Sequence, residues 1–285
     1  SDPNAAAIEG VINSAIQAYQ TTYSNPINVT IKFQSMNSGL GQSNTTLYKL
    51  SYQSFYDSFK TVATTSGQAD QLTALANLPN STNNPVTGST FINIKTADIR
   101  ALGIPGGPFP PGNGFDGIIG LNTHITDVGS PGTSGTYSLL ATAEHEIDEV
   151  LGLGSDVAGT GFFADPAPQD LYRYTAGGSR NFTGNGGAVF FSIDGGTTDL
   201  AQFNNSNNGA DYGDWLSNPL PPATQPKVQD AFATPGAHPA LSTELTALDV
   251  IGYTQSSPLP EPSTTMLLGS GVVVAGLWKR LRARI

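Results

Sequence analysis

Between residues 136 and 152 the chain combines an apolar stripe at helical spacing with four acids grouped around one histidine, and few folds can house such a segment. Leu140, Ala143, Ile147, Val150 and Leu151 recur every three or four positions, which predicts a helix over 136–151 with one buried face. Gly152 is the residue type that stops a helix. His145 and Glu149 project from one face a turn apart, with Asp148 beside them and Glu146 at its edge. Glu144 and Asp148 repel at i, i+4, and nothing nearby in sequence neutralises them. A cation would. The plain alternative is a solvated acidic helix face carrying a stray histidine.

The pattern HExxH on a helix places two imidazoles where they grip a metal ion, while the intervening glutamate serves as general base toward water. Here His145 and Glu146 are in place and Glu149 stands where the second histidine belongs. His145 and Glu149 are therefore the candidate metal ligands, and Glu146 is the candidate catalytic base. Zinc suits an imidazole–carboxylate pair, although the added carboxylate makes the site harder and opens it to manganese or calcium. It also adds negative charge, which weakens the ion as a Lewis acid and slows the chemistry. Asp156, Asp211, Asp214 and His124 are the candidates for a third ligand.

Charge and composition bound the remaining classes. The chain has 285 residues, 38% of them hydrophobic, so a sizeable core is available. A net charge of −10 argues against a nucleic-acid partner. Charged residues make up only 12%, against 33 Gly and 20 Pro, the profile of a loop-rich exported protein. With no cysteine, neither disulfides nor thiolate metal sites are available. The start at Ser1 fits removal of a signal peptide. There is no GxxxxGK[ST] phosphate loop and no G-x-S-x-G elbow.

Along the chain, Ile8, Val11, Ile12, Ala15, Ile16 and Tyr19 predict a helix over 5–20, and alternation from Ile27 to Phe33 predicts a half-buried strand. Residues 37–42 read as a loop, 52–78 as a second helical stretch, 91–94 and 117–122 as strands, and 242–251 as a last helix. The Gly/Pro-rich segment 103–114 either borders a cleft or covers the sheet. Short strands are expected at 170–174 and 189–193, where Tyr172, Tyr174, Phe190 and Phe191 read as core. His238 reads as a loop residue, and Asn204 to Gly209 only loosely follow a calcium loop, with Trp215 where the bidentate glutamate should stand. The plan is α+β: a mixed sheet, a central HExxE helix and a loop-rich C-terminal half.

Two resemblances extend this. Pro260, Glu261 and Pro262, the mostly apolar run from Met266 to Trp278, and the basic residues Lys279, Arg280, Arg282 and Arg284 stand in the order of a PEP-CTERM sorting signal. About 13 apolar residues are too few to span a bilayer comfortably, since spanning takes ~20. The resemblance implies export from a Gram-negative bacterium to the envelope or medium, transient membrane association through 264–278, and cutting near the Pro-Glu-Pro by an exosortase. Its boundaries are a domain over 1–254, a linker over 255–259 and the signal over 260–285. The longer pattern HExxHxxGxxH of the metzincin branch of the zincins is matched at His145, Glu146 and Gly152, but Glu149 and Ser155 replace its other histidines, and Met36 and Met266 are badly placed for a Met-turn. Residues 39–43, 96–103, 192–196, 213–215 and 248–253 together resemble bacterial PEP-CTERM proteins of a metalloprotease-like family. What this implies is a zincin-like fold with metal under a cleft.

The resulting expectation is an extracellular metal-dependent peptidase acting through metal-activated water on a peptide or protein. Two alternatives are a catalytically degenerate zincin fold serving as a surface or matrix protein, and a calcium-stabilised extracellular binding module.

Overall fold

The computed structural model describes residues 3–105, 114–128, 135–221 and 224–256. The chain divides into Ser1–Thr254 and Gln255–Ile285. The segment expected to be a sorting signal, most of the expected linker before it and residues 106–113 lie outside the described residues. Among those described, no helix is long and apolar enough to cross a membrane.

The architecture is α+β. Helix α1 (Ala5–Thr22) leads into strand β1 (Ile31–Ser35), then β2 (Gly41–Thr45) and β3 (Leu47–Ser51). Helices α2 (Tyr52–Ser66) and α3 (Ala69–Ala76) precede β4 (Phe91–Lys95), α4 (Thr96–Ala101), β5 (Gly117–Leu121), α5 (Leu139–Leu151) and α6 (Thr243–Asp249). The expected helix over 52–78 is thus two helices. Gly67, at φ +69°, donates its N–H to the Ala63 carbonyl and turns the chain, a conformation glycine adopts without steric cost.

Strand β5 is the centre of a three-stranded mixed sheet in the order β1-β5-β2. β1 runs parallel to it, with Ile31 opposite Gly117, and β2 antiparallel, with Gly41 opposite Leu121. β3 and β4 form a separate antiparallel pair. Neither β2 nor β3 was expected. Gly, Gln, Ser, Asn and Thr have little strand propensity as a run, and β2 exists because β5 offers it a full ladder of backbone partners. Between residue 156 and α6 the described chain is irregular, with short 3-10 turns over Gly161–Ala164 and Pro168–Tyr172 and two-residue strands at Arg173–Tyr174, Phe190–Phe191 and Ala201–Gln202. Segment 170–174 is therefore mostly a turn. Tyr172, Tyr174 and Phe191 are buried as expected, and Phe190 is half-buried.

Helix α5 is the keystone. Ser138 caps its start, accepting the Ala141 N–H at 3.1 Å. It packs on β5 so closely that a Cβ at Gly117 would lie 2.4 Å from Val150 Cγ2. At its end, the Gly152 N–H donates to the Asp148 carbonyl, and φ is +153°. Lys95 Nζ then donates to the Glu149 and Leu153 carbonyls at 2.7 and 2.5 Å, placing a cation on the negative end of the helix. The helix is buried nearly all round: Glu144, Glu146, Asp148 and Glu149 are all in the interior, and only Leu140 and His145 are half-exposed. The solvated acidic face is thereby excluded.

Candidate functional site

His145, Glu149 and Asp214 converge at one point. His145 Nε2 lies 3.7 Å from Glu149 Oε1 and 3.7 Å from Asp214 Oδ1, and the three ligand atoms lie within 4.8 Å of one another. Ligands held about 2.1 Å from a tetrahedral ion stand about 3.4 Å apart, so a small contraction brings this trio onto a divalent cation. The group can hold a metal ion.

The imidazole is prepared for it. His145 Nδ1 donates to the Val228 carbonyl at 3.0 Å, which fixes the tautomer and turns Nε2 toward the carboxylates. Ser43 on β2 donates its hydroxyl to Glu149 Oε2 at 2.5 Å, and Gln229 Nε2 donates to Asp214 Oδ1 at 2.9 Å. Each ligand thus has a second partner that sets its orientation.

The electrostatics favour a cation. Burial would lower the His145 pKa, but Asp214, Glu149 and Glu146 outweigh it and raise it to about 10. Burial likewise raises Asp214 to about 7, with His145 opposing and Glu149 and Asp211 adding to the rise. Burial pushes Glu149 up too, but His145, Lys95, Ser43 and Asp211 prevail, and its carboxyl falls below the ordinary range. Glu146 rises to about 9, through burial first and then the neighbouring Glu149. Its Oε2 is buried with no hydrogen-bond partner among the described residues. So many facing carboxyl groups share too few positive partners, and a divalent ion relaxes that field.

The site opens on a cleft of about 1050 Å³. One wall is the 36–43 segment with the start of β2, and another is the chain from Pro226 to Thr234. The floor is α5, where Gly41 crosses Glu146 with no room for a side chain: a Cβ there would lie 2.3 Å from Glu146 Oε1. The His145 side chain keeps 17% of its surface exposed, toward this cleft.

Of the four candidates for the third ligand, Asp214 is at the centre. Asp211 sits beside Glu149 and hydrogen-bonds to it, with its own carboxyl raised by burial and then by Glu149. Asp156 is elsewhere: Asn93 Nδ2 donates to its Oδ2 at 2.8 Å, and its backbone N–H donates to Asp170. Ser155, at the position of the third histidine in the longer pattern, donates to Asp170 Oδ1 at 2.5 Å and is not among the residues lining the cleft. His124 is exposed and outside the cluster, and the exposed His238 faces Asp127 at 3.6 Å. Asn204 and Asn208 bond to each other at 2.9 and 3.1 Å, so the 204–209 loop closes on itself.

Sequence reasoning missed Ser43, Gln229 and Glu244. Glu244 Oε1 accepts from Trp215 Nε1 at 3.0 Å and from the Gln229 N–H at 3.1 Å, pinning the two strands of chain that carry Asp214 and Gln229. These residues lie 102, 84 and 99 positions from His145, read from their numbers, and no spacing rule links them. The only signal was the wealth of Asp and Asn between 204 and 214. No family model, no curated protein and no solved structure matches the chain.

Proposed function

We propose that the protein is a metal-dependent peptidase of zincin-like plan, with His145, Glu149 and Asp214 holding the ion and Glu146 as general base. The observation that carries this reading is the convergence of those three ligands at the wall of a cleft, with Glu146 buried alongside them. A sheet whose antiparallel edge strand borders the cleft, with the ligand-bearing helix beneath, supports the zincin-like assignment.

Zinc is the ion we assign, and manganese and calcium compete because two of the three ligands are hard carboxylates. When bound, the ion supplies Lewis acidity to a substrate carbonyl and to water. The chain's own residues do the rest. Glu146 takes the proton of the attacking water and passes it to the leaving amine. Burial and the neighbouring Glu149 keep its carboxyl protonated near neutral pH, and the charge of a bound divalent ion would draw its pKa down so that the carboxylate can accept that proton. Val228 and Ser43 keep His145 and Glu149 aimed while this happens. β2 is the outer strand of its sheet, so an extended peptide can lie along it by backbone pairing. The sorting-signal order of 260–285 supports export and exosortase processing.

The test is cleavage of an unfolded protein by material recovered outside the cell, whose intact mass should lack 260–285. A chelator should abolish cleavage and zinc should restore it. Glu146→Gln should lower kcat by at least 100-fold, since general acid–base catalysis contributes roughly 10²–10⁴-fold, while the bound metal is retained. Cleavage that survives both treatments overturns the reading. A second reading, a catalytically degenerate member of the same plan, is favoured by the donor set itself, because two carboxylates weaken the ion as a Lewis acid. Stoichiometric metal without turnover would select it.

A further inference from the structure

Gln229 is 1% exposed and projects its amide into the centre of the cluster. Its Nε2 lies 3.2 Å from His145 Nε2 and 2.9 Å from Asp214 Oδ1. Its Oε1 is buried with no hydrogen-bond partner among the described residues. An unsatisfied buried carbonyl costs about 1–3 kcal/mol, so its retention needs a reason.

The backbone around it is fixed at both ends. The Gln229 N–H donates to Glu244 Oε1 at 3.1 Å, and its carbonyl accepts from the Trp215 N–H at 2.8 Å. The side chain is therefore delivered to one place, and the freedom left to it is the last torsion, which is broad and roughly two-fold. A half-turn there exchanges the two ends of the amide within the same space. It puts the carbonyl oxygen next to both His145 Nε2 and Asp214 Oδ1. A cation between these atoms repels the N–H end of the amide dipole and attracts the oxygen, so the ion itself decides the orientation.

We propose that Gln229 is a fourth ligand of the ion, through Oε1. The proposal rests on the reading that His145, Glu149 and Asp214 bind a divalent cation. It makes the donor set one imidazole nitrogen and three oxygens, harder than the histidine-rich sets of most zinc hydrolases, and it explains why an amide rather than an apolar side chain fills this position. Such a set tolerates manganese or cobalt alongside zinc.

The test is titration of the purified full-length protein with Co²⁺ and with Zn²⁺ in a competing chelator, reading both the dissociation constant and the cobalt absorption bands. Gln229→Leu removes the oxygen and keeps the volume, and is expected to weaken binding roughly tenfold or more and to shift the cobalt bands. Gln229→Glu presents an oxygen whichever way the group turns, and is expected to bind at least as tightly as the parent chain. If the leucine variant binds as tightly as the parent with the same bands, or more tightly, the amide is a plug and the proposal fails. If the leucine variant does not fold, a glutamate variant that binds more weakly also overturns it. A parent chain that takes up neither ion removes the metal centre itself, and the proposed function falls together with the ligand.

Discussion

Glu244 shows how a residue can matter to the cluster without touching it. Its Oε1 accepts from Trp215 Nε1 and from the Gln229 N–H, and its Oε2 accepts from the Ser242 N–H. Trp215 follows Asp214 directly and Val228 precedes Gln229, so one buried carboxylate registers a proposed ligand, the amide that hydrogen-bonds to it and the carbonyl that orients His145. Glu244→Gln keeps the shape but turns one oxygen into a donor that faces other donors, an arrangement worth about 1–3 kcal/mol of lost stability. We expect a lower urea midpoint together with zinc affinity roughly 10–100-fold weaker, the size of effect seen when partners of ligands are removed. Unchanged affinity in a folded variant would show that the two strands hold their place without it. Asp98 is the opposite kind of residue. It is fully buried, and neither carboxyl oxygen has a hydrogen-bond partner among the described residues. Burial raises its pKa well above the ordinary carboxylate range, and Lys95 offsets this only in part.

Between α5 and β2, packing is tight enough that one hydrogen atom is the largest side chain that fits. A Cβ on Gly41 would meet Glu146 Oε1 at 2.3 Å and Thr142 Cγ2 at 2.9 Å. Gly41→Ala must therefore push the strand off the helix or rotate Glu146 out of place. Overpacking of this kind costs about 1–3 kcal/mol. The expected result is a lower unfolding midpoint and a fall in kcat larger than the change in KM, measured on the same preparation. A variant with parental kcat would mean that the glutamate has room to move. Sequence patterns identified α5 and its C-terminal end, because apolar periodicity and a terminal glycine are local signals, while its start, expected at 136, lies at Leu139 behind the Ser138 cap. They did not identify β2, whose five polar and small residues acquire strand geometry from β5. The helical stretch expected over 52–78 divides at Gly67, where a positive φ turns the backbone between α2 and α3.

Over the whole molecule, the buried acids make stability depend on pH. Asp98 holds its proton more tightly folded than unfolded. Its contribution is complete below the unfolded pKa of about 3.9 and is lost as pH climbs through the raised folded value. Wild-type protein should therefore lose stability between mildly acidic and mildly alkaline pH in a way that Asp98→Asn, which cannot ionise, does not. Urea unfolding of both chains at pH 5 and pH 8 measures the difference, and equal slopes would place the charge cost elsewhere. The acidic helix face itself looked from sequence equally like a solvated surface, since four acids round one histidine carry no mark of burial. The sequence alone determined the α+β class and the helix with His145, Glu146 and Glu149 on it, because periodicity acts between near neighbours. Only the tertiary structure decided that the acids are interior, that Asp214 and not Asp156 stands opposite His145, and that Gln229 and Glu244 complete the surroundings. Contacts across some seventy to a hundred residues of irregular chain follow from how the last third folds back over α5, and no local pattern encodes that path.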